Sequence, residues 1–274
     1  MFKIIIMALL IFIGMVGYDN ITDKAQPTTP VQQEQQKVSK HEKSAAMALF
    51  TSLLPPKEEW PSPVHKFYLA FNMDEVIDPI RQNPNWTSLD AMSRDIPQAL
   101  IAIEDHAFYN HGAIAVEGIL RAALANINAG EVVQGGSTLT QQFVKNVFLS
   151  HEQSMERKIE EAVLSLMLED NYSKDEILEL YLNTTYFGAG STGIKQASRT
   201  YFGKAPSALT LAEAAVIASL PYAPTSLNPL ENPEGCKKRQ LLVLAAMHKY
   251  GMINQGQLTE AKAEKIRLTN CTVM

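Results

Sequence analysis

The sequence predicts a mainly α-helical fold from about residue 89 onward, and three observations carry that expectation. Capping-box starts, in which Ser or Thr is followed three residues later by Glu or Gln, occur at Thr138 and Gln141, Ser173 and Glu176, and Thr210 and Glu213. Each precedes an apolar run, the signature of a helix N-terminus. Between starts, apolar residues recur at helical spacing, as in Leu139, Phe143 and Val147, and glycines such as Gly130 and Gly251 stand where the periodic segments stop.

Composition bounds the rest. The 274 residues, 46% of them hydrophobic, suffice for a substantial core, and a net charge of -5 argues against a nucleic-acid surface. The two cysteines, Cys236 and Cys271, fall in no metal-ligand spacing and are too few for a disulfide framework.

At the N-terminus, Lys3 precedes an apolar run from Ile4 to Gly17, a little short of the roughly 20 residues that span a bilayer. Residues 1–18 read as a signal-anchor or a signal peptide. The anchor is favoured because no small-x-small cleavage site precedes Tyr18, and it would place everything after it on the outer face. Residues 19–43, rich in Gln, Thr, Lys and Glu with Pro27 and Pro30, read as a flexible tether. Residues 44–88 form an extension broken by prolines at 55, 56, 61, 63, 79 and 84, for which short strands or irregular structure are expected.

The helical domain is expected over residues 89–268. Ile96-Pro97 opens a helix that leads through Ala99, Leu100, Ile101 and Ile103 to Glu104, with proline at an early position where its missing N–H costs nothing. Glu104 is either a solvated acid at a helix end or, if its apolar surroundings desolvate it, a proton acceptor tuned toward neutral pH. Ala113–Ala129 is a second helix, nearly uncharged and stopped by Gly130, which reads as buried core or as a surface dipping into a bilayer interface.

A glycine turn at Gly135-Gly136 feeds the helix that starts at Thr138. Gln141, Gln142 and Lys145 share one face of it, and backbone N–H groups at such a terminus, with a lysine one turn on, suit a pyrophosphate. Arg157 and Glu161 lie four apart on the next, apolar helix. With the cation first, this order makes a weak surface pair and better suits a cleft. Later come a helix to Asn183, a glycine-rich loop Tyr186–Gly193 without a dinucleotide fingerprint, a helix from Thr210, one from Lys238 to about Gly251, and an amphipathic tail at Leu258–Ile266.

Taken in order, Glu104-Asp105-x-x-Phe108 with His111, Gly136-Ser137-Thr138-x-x-Gln141-Gln142 with Lys145-Asn146, Arg157-Lys158-x-x-Glu161, Ile177 with Tyr181-Leu-Asn183, and Arg239 with Val243-Leu244 resemble the five motifs of the peptidoglycan glycosyltransferases, glycosyltransferase family 51. That domain occurs in class A penicillin-binding proteins and in monofunctional transglycosylases. The match covers roughly Leu89–Ile266, and with neither Ser-x-x-Lys nor Lys-Thr-Gly in the sequence the monofunctional branch is expected.

The resemblance implies a lysozyme-like, two-lobed domain with a head and a membrane-embedded jaw at roughly Ala113–Val133. It implies polymerisation of lipid II, in which the GlcNAc 4-hydroxyl of the acceptor attacks C1 of a growing glycan activated by undecaprenyl pyrophosphate, with inversion. Glu104 is the implied base. Glu161 is the second catalytic carboxylate, and organises cations or a divalent ion or assists the leaving group. Lys145, Arg157 and Lys158 offset pyrophosphate charge, while Asp105, Ser137, Thr138, Gln141, Gln142, Asn146, Asn183 and Arg239 line the substrate cleft. His111 is expected to be a structural hydrogen-bonder.

A divalent cation, magnesium or manganese, is admitted at the pyrophosphate, with no metal site of the protein's own and no organic cofactor. The implied partners are lipid II and the growing glycan, the bacterial cytoplasmic membrane and other wall-synthesis proteins. Two departures from the family pattern stand out: Ile114-Ala115 where an Asp is common, and Gln153 where a cation is common, which predicts a weakened pyrophosphate site. The rival readings are a lysozyme-like glycan-cleaving enzyme, which needs no pyrophosphate-binding cations, and an inactive membrane-tethered scaffold.

Overall fold

The computed structural model describes residues 68–130, 135–149, 154–270 and 272–274. The expected anchor, tether and first part of the extension, together with Val133, Gln153 and Cys271, lie outside the described residues. The chain divides into two compact units, Met1–Asn72 and Met73–Met274. Of the first, the described residues 68–72 form a helical turn in which the backbone N–H and side-chain amide of Asn72 both donate to the Tyr68 carbonyl.

The second unit is helical, as expected. Its α-helices are α1 Asp74–Arg81, α2 Asp95–Glu104, α3 Val116–Ala129, α4 Leu139–Phe148, α5 Met155–Asn171, α6 Lys174–Thr184, α7 Ile194–Phe202, α8 Leu211–Ser219, α9 Pro233–Lys249 and α10 Gln255–Ala263. Strand pairing among the described residues is confined to two single bridges, Tyr186 with Thr192 and Arg267 with Val273. No helix among them is long and apolar enough to cross a membrane.

All three foreseen capping boxes form, and a fourth joins Asn254 to Gln257 at the start of α10. Helix α3 begins at Val116 rather than Ala113, and three further segments differ from expectation. Residues 74–81 are helical despite Pro79, which sits late enough in α1 to cost a single backbone bond. Helix α9 begins at Pro233 rather than Lys238, because Asn232 caps it and proline is well suited to the first turn. The segment after the glycine-rich loop is also a helix, α7, closed by Gly203 in the left-handed conformation at φ 67°.

Two groups of helices position the site. Helix α8 is buried from Ala212 through Ser219 and packs against α2 and α9. Its alanines let those neighbours approach closely, so the end of α2 is fixed by a rigid core. Its one buried carboxylate, Glu213, is satisfied by the Thr210 N–H at 3.0 Å and by Lys204 at 2.6 Å. In the second group α4 packs against α5 and α6. The two groups meet where the end of α2 touches the start of α4.

The glycine-rich loop is a tight hairpin: Phe187 N–H bonds to the Ser191 carbonyl at 2.9 Å. A Cβ on Gly188 would lie 2.3 Å from the Pro224 carbonyl oxygen. Gly188 and Gly193, whose Cβ would lie 2.6 Å from the Asn183 carbonyl oxygen, serve a close approach of backbone.

Candidate active site

Glu104 is the last residue of α2 and is half-buried. The apolar face of the helix, Ile96, Ala99, Leu100 and Ile101, is buried against the α8 core and carries the carboxylate out to the edge of that core. Gln142, on α4, donates its side-chain N–H to Glu104 Oε2 at 3.0 Å. The Gln142 carbonyl oxygen accepts from the Tyr181 hydroxyl of α6 at 3.0 Å. Tyr181 is fully buried, and burial, with the nearby charge of Glu104 second, pushes its ionisation far above the ordinary phenol value. It is therefore held as a neutral O–H donor. Glu104 Oε1 has no hydrogen-bond partner among the described residues.

Asp105 follows immediately, and both of its oxygens are engaged. Oδ1 accepts from His111 Nε2 at 2.6 Å and Oδ2 accepts from the Leu139 backbone N–H at 3.0 Å. His111 Nδ1 faces the Gly112 carbonyl at 2.6 Å, so both ring nitrogens meet acceptors and the imidazolium is favoured. The hydrogen bond to Asp105 is the leading cause of its raised pKa, against an opposing burial effect. His111 is thus the structural hydrogen-bonder expected of it. His106 stacks on Tyr250, with ring centroids 4.2 Å apart.

The first turn of α4 is largely closed to a ligand. The Thr138 N–H is taken by Gln141 Oε1 at 3.0 Å, the Leu139 N–H by Asp105, and the Gln141 N–H by Thr138 Oγ1 at 3.1 Å. Thr138 Oγ1 donates in turn to the Ala113 carbonyl at 2.8 Å. The expectation that these backbone N–H groups bind pyrophosphate is therefore corrected: the capping box and Asp105 already consume them. An anion here depends mainly on side chains.

Those side chains come from α5. Ser154 caps the helix through the Arg157 N–H at 3.1 Å, and the first two turns present Arg157, Lys158 and Glu161 together. Glu161 is 2% exposed. Its Oε1 pairs with Lys158 Nζ, and its Oε2 lies 3.8 Å from Arg157 Nη1. Lys158 Nζ also donates to Ser137 Oγ at 3.2 Å. The buried Nε–H of Arg157 has no hydrogen-bond partner among the described residues. A buried acid offset by two cations carries a net positive charge, suited to an anionic group.

The segment Ser137–Leu139 therefore touches both halves of the site: Lys158 bonds to its first residue and Asp105 to its last. Gly136 enters this turn under α3, where a Cβ would lie 3.0 Å from Ile119 Cα. Lys145 and Asn146 are exposed on the last turns of α4.

Two other predicted residues stand apart from this turn. Asn183 spends its amide on the backbone of Thr87, accepting from its N–H at 2.9 Å and donating to its carbonyl at 2.8 Å. Arg239 lays its guanidinium 4.1 Å over the Tyr222 ring. Tyr181 has no role in the sequence reading beyond its place in a motif. A lone hydroxyl on the otherwise apolar buried face of Ile177–Leu182 is the signal that could have found it.

A divalent cation would need oxygen donors that are not already paired. Among the described residues no three His, Cys, Asp or Glu side chains converge as a metal site, and both oxygens of Glu161 face cations. Among the described residues, Glu161 therefore has no unpaired oxygen to offer a resident metal.

The family model described as Transglycosylase matches residues 73–248. A Cupriavidus necator protein named "Putative transglycosylase" is 41% identical over 194 residues, which is 71% of this chain and 84% of that protein. Penicillin-binding protein 1A of Neisseria flavescens is 44% identical over 68% of this chain, and its namesake from Aquifex aeolicus is 44% identical over 64%. The chain spans only 23% and 24% of those two proteins. A crystal structure of penicillin-binding protein 1A from Haemophilus influenzae aligns with 48% of this chain and 16% of that one at 33% identity, with a TM-score of 0.34. The family match alone spans most of the chain, and the protein belongs to the transglycosylase family as a peptidoglycan glycosyltransferase related to the class A penicillin-binding proteins.

Proposed function

We propose that the protein polymerises lipid II into β-1,4-linked peptidoglycan strands, with inversion, at the outer face of the bacterial cytoplasmic membrane. The observation that carries this reading is the junction at Ser137–Leu139, where one short turn is bonded both to the segment bearing Glu104 and to the cationic cluster of α5. A base and an anion site on opposite ends of one turn are what glycosyl transfer from a pyrophosphate donor requires.

In this mechanism Gln142 holds Glu104 Oε2, and Oε1 accepts the proton of the acceptor GlcNAc 4-hydroxyl. The oxygen attacks C1 of the donor MurNAc from the face opposite the pyrophosphate, the C1–oxygen bond to the leaving group breaks, and undecaprenyl pyrophosphate departs. Arg157 and Lys158, held by Glu161, meet its growing negative charge, and exposed Lys145 is free to join them. A magnesium or manganese ion in this reading belongs to the substrate's pyrophosphate rather than to a site on this chain, and no step depends on it. Thr138, Gln141, Asp105 and Asn183 shape the cleft by fixing backbone. Ser137 and Asn146 remain available to substrate, while Arg239 packs on Tyr222. A glycan hydrolase would have no use for the α5 cations.

Helix α3 supports the membrane part of the reading as the jaw of a two-lobed domain. Val116, Ile119, Leu120 and Ile127 are 64%, 43%, 60% and 75% exposed and fall within about 100° of one another around the helix, with Ile119 at the edge nearest buried Ala122 and Gly136. An apolar stripe of this size is a binding surface, and a lipid substrate makes the bilayer its natural partner.

The deciding experiment incubates the full chain with labelled lipid II in detergent. Wild type is expected to form polymer and Glu104→Gln none. Polymer from Glu104→Gln at the wild-type rate, or none from wild type under any detergent or metal condition, would overturn the proposal.

A further inference from the structure

We infer that Tyr181 is a positioning residue for the transfer: acting through Gln142, it reserves Glu104 Oε2 for a hydrogen bond and so directs the incoming proton to Oε1. The inference rests on the reading of Glu104 as the base.

The argument is one of donors and acceptors. A carboxylate accepts only, so Gln142 must turn its NH2 toward Glu104, as it does at 3.0 Å. The Gln142 carbonyl oxygen then points the other way and needs a donor. Tyr181 supplies it at 3.0 Å from within the core of α6. Tyr181 is 1% exposed, so its hydroxyl is held in the core away from competing water. Without it, the amide loses the partner that selects its orientation. A flipped Gln142 would aim its carbonyl oxygen at Glu104, which favours the protonated acid and disables the base.

Besides Tyr181, whose ionisation the charge of Glu104 opposes, the titratable side chains next in sequence are Asp105 and His106. Asp105 is committed to His111 and Leu139, and His106 is stacked on Tyr250 with Arg121 and Lys249 in electrostatic range. None of them donates to Gln142, so the orientation of its amide depends on Tyr181.

The test measures initial rates of lipid II polymerisation by the full chain from pH 5 to pH 9 for wild type, Tyr181→Phe, Gln142→Met and the double variant, with Glu104→Gln as the control and thermal unfolding to verify folding. Tyr181→Phe is expected to lower kcat about tenfold, the worth of one net hydrogen bond, with KM unchanged. The acidic limb of its pH profile should move to higher pH. In the Gln142→Met background, Tyr181→Phe should add nothing. Should Tyr181→Phe fail to fold, Gln142→Met carries the same prediction for the acidic limb. Wild-type kcat and acidic limb in the variants, or a full tenfold loss from Tyr181→Phe on top of Gln142→Met, would overturn the inference while leaving the base in place. Activity retained by Glu104→Gln would instead remove the reading on which it rests.

Discussion

Replacing Asp105 by Asn should uncouple the end of α2 from the start of α4. The substitution keeps the shape, but its Nδ2 cannot accept a hydrogen bond, so either His111 Nε2 or the Leu139 N–H loses the acceptor now 2.6 or 3.0 Å away. The Asp105 and His111 side chains are 8% and 14% exposed, so water replaces the lost oxygen poorly. A hydrogen bond to a charged group is worth about 1.5–3 kcal/mol, and a buried donor left unpaired costs about 1–3 kcal/mol. We expect a net loss of about 3 kcal/mol at pH 6, or a fall in Tm of about 9 °C for a folded unit of about 200 residues.

The loss should depend on pH in one direction. His111 has a folded pKa raised above its ordinary 6.5, so the stabilisation from its proton is complete below about pH 6.5 and fades as pH climbs through the folded value. The Tm gap between wild type and Asp105→Asn is therefore widest near pH 6 and narrows toward pH 9. Circular dichroism melts of the full chain in mild detergent across that range provide the assay. A gap that does not change with pH, or one smaller than about 1 kcal/mol at pH 6, would refute the pairing argument.

Two further expectations concern the loop and α3. Gly188→Ala places a Cβ 2.3 Å from the Pro224 carbonyl oxygen at φ 87° and should cost about 3 kcal/mol in a urea titration, whereas Gly190→Ala, in open space at φ 69°, should cost only about 1 kcal/mol; equal costs would show that the approach of the two loops does not matter. Replacing Val116, Leu120 and Ile127 together by Asn should remove about 3 kcal/mol of apolar burial in a bilayer. Polymerisation on lipid II-bearing vesicles should then fall about a hundredfold relative to the rate in detergent, and an unchanged ratio would argue against α3 as the membrane contact.

What the sequence determined by itself is local. The capping boxes at Thr138, Ser173 and Thr210 form as spelled, because the Ncap side chain and the residue three positions on satisfy each other within one turn and need nothing from the rest of the chain. The face shared by Arg157 and Glu161 was equally legible, since four residues make one turn of any helix. The Asn232 cap that starts α9 is no less local, but the run of prolines at 221, 224 and 229 obscures it.

Tertiary structure decided which groups are spent and which remain for chemistry. Asp105, Thr138 and Gln141 look like ligand-binding residues in sequence, and only the approach of α2 to α4 shows them consuming the donors of that turn. Asn183 is engaged by Thr87, 96 residues away. The Tyr181–Gln142–Glu104 chain spans 77 residues between its ends and three helices. No period or motif spacing encodes such a contact, because it depends on how the α8 core aims α2 and how α6 carries a hydroxyl under α4. The residue types needed for glycosyl transfer were thus written in the sequence, while the orientation that leaves one oxygen of Glu104 open comes from the packing of helices distant in the chain.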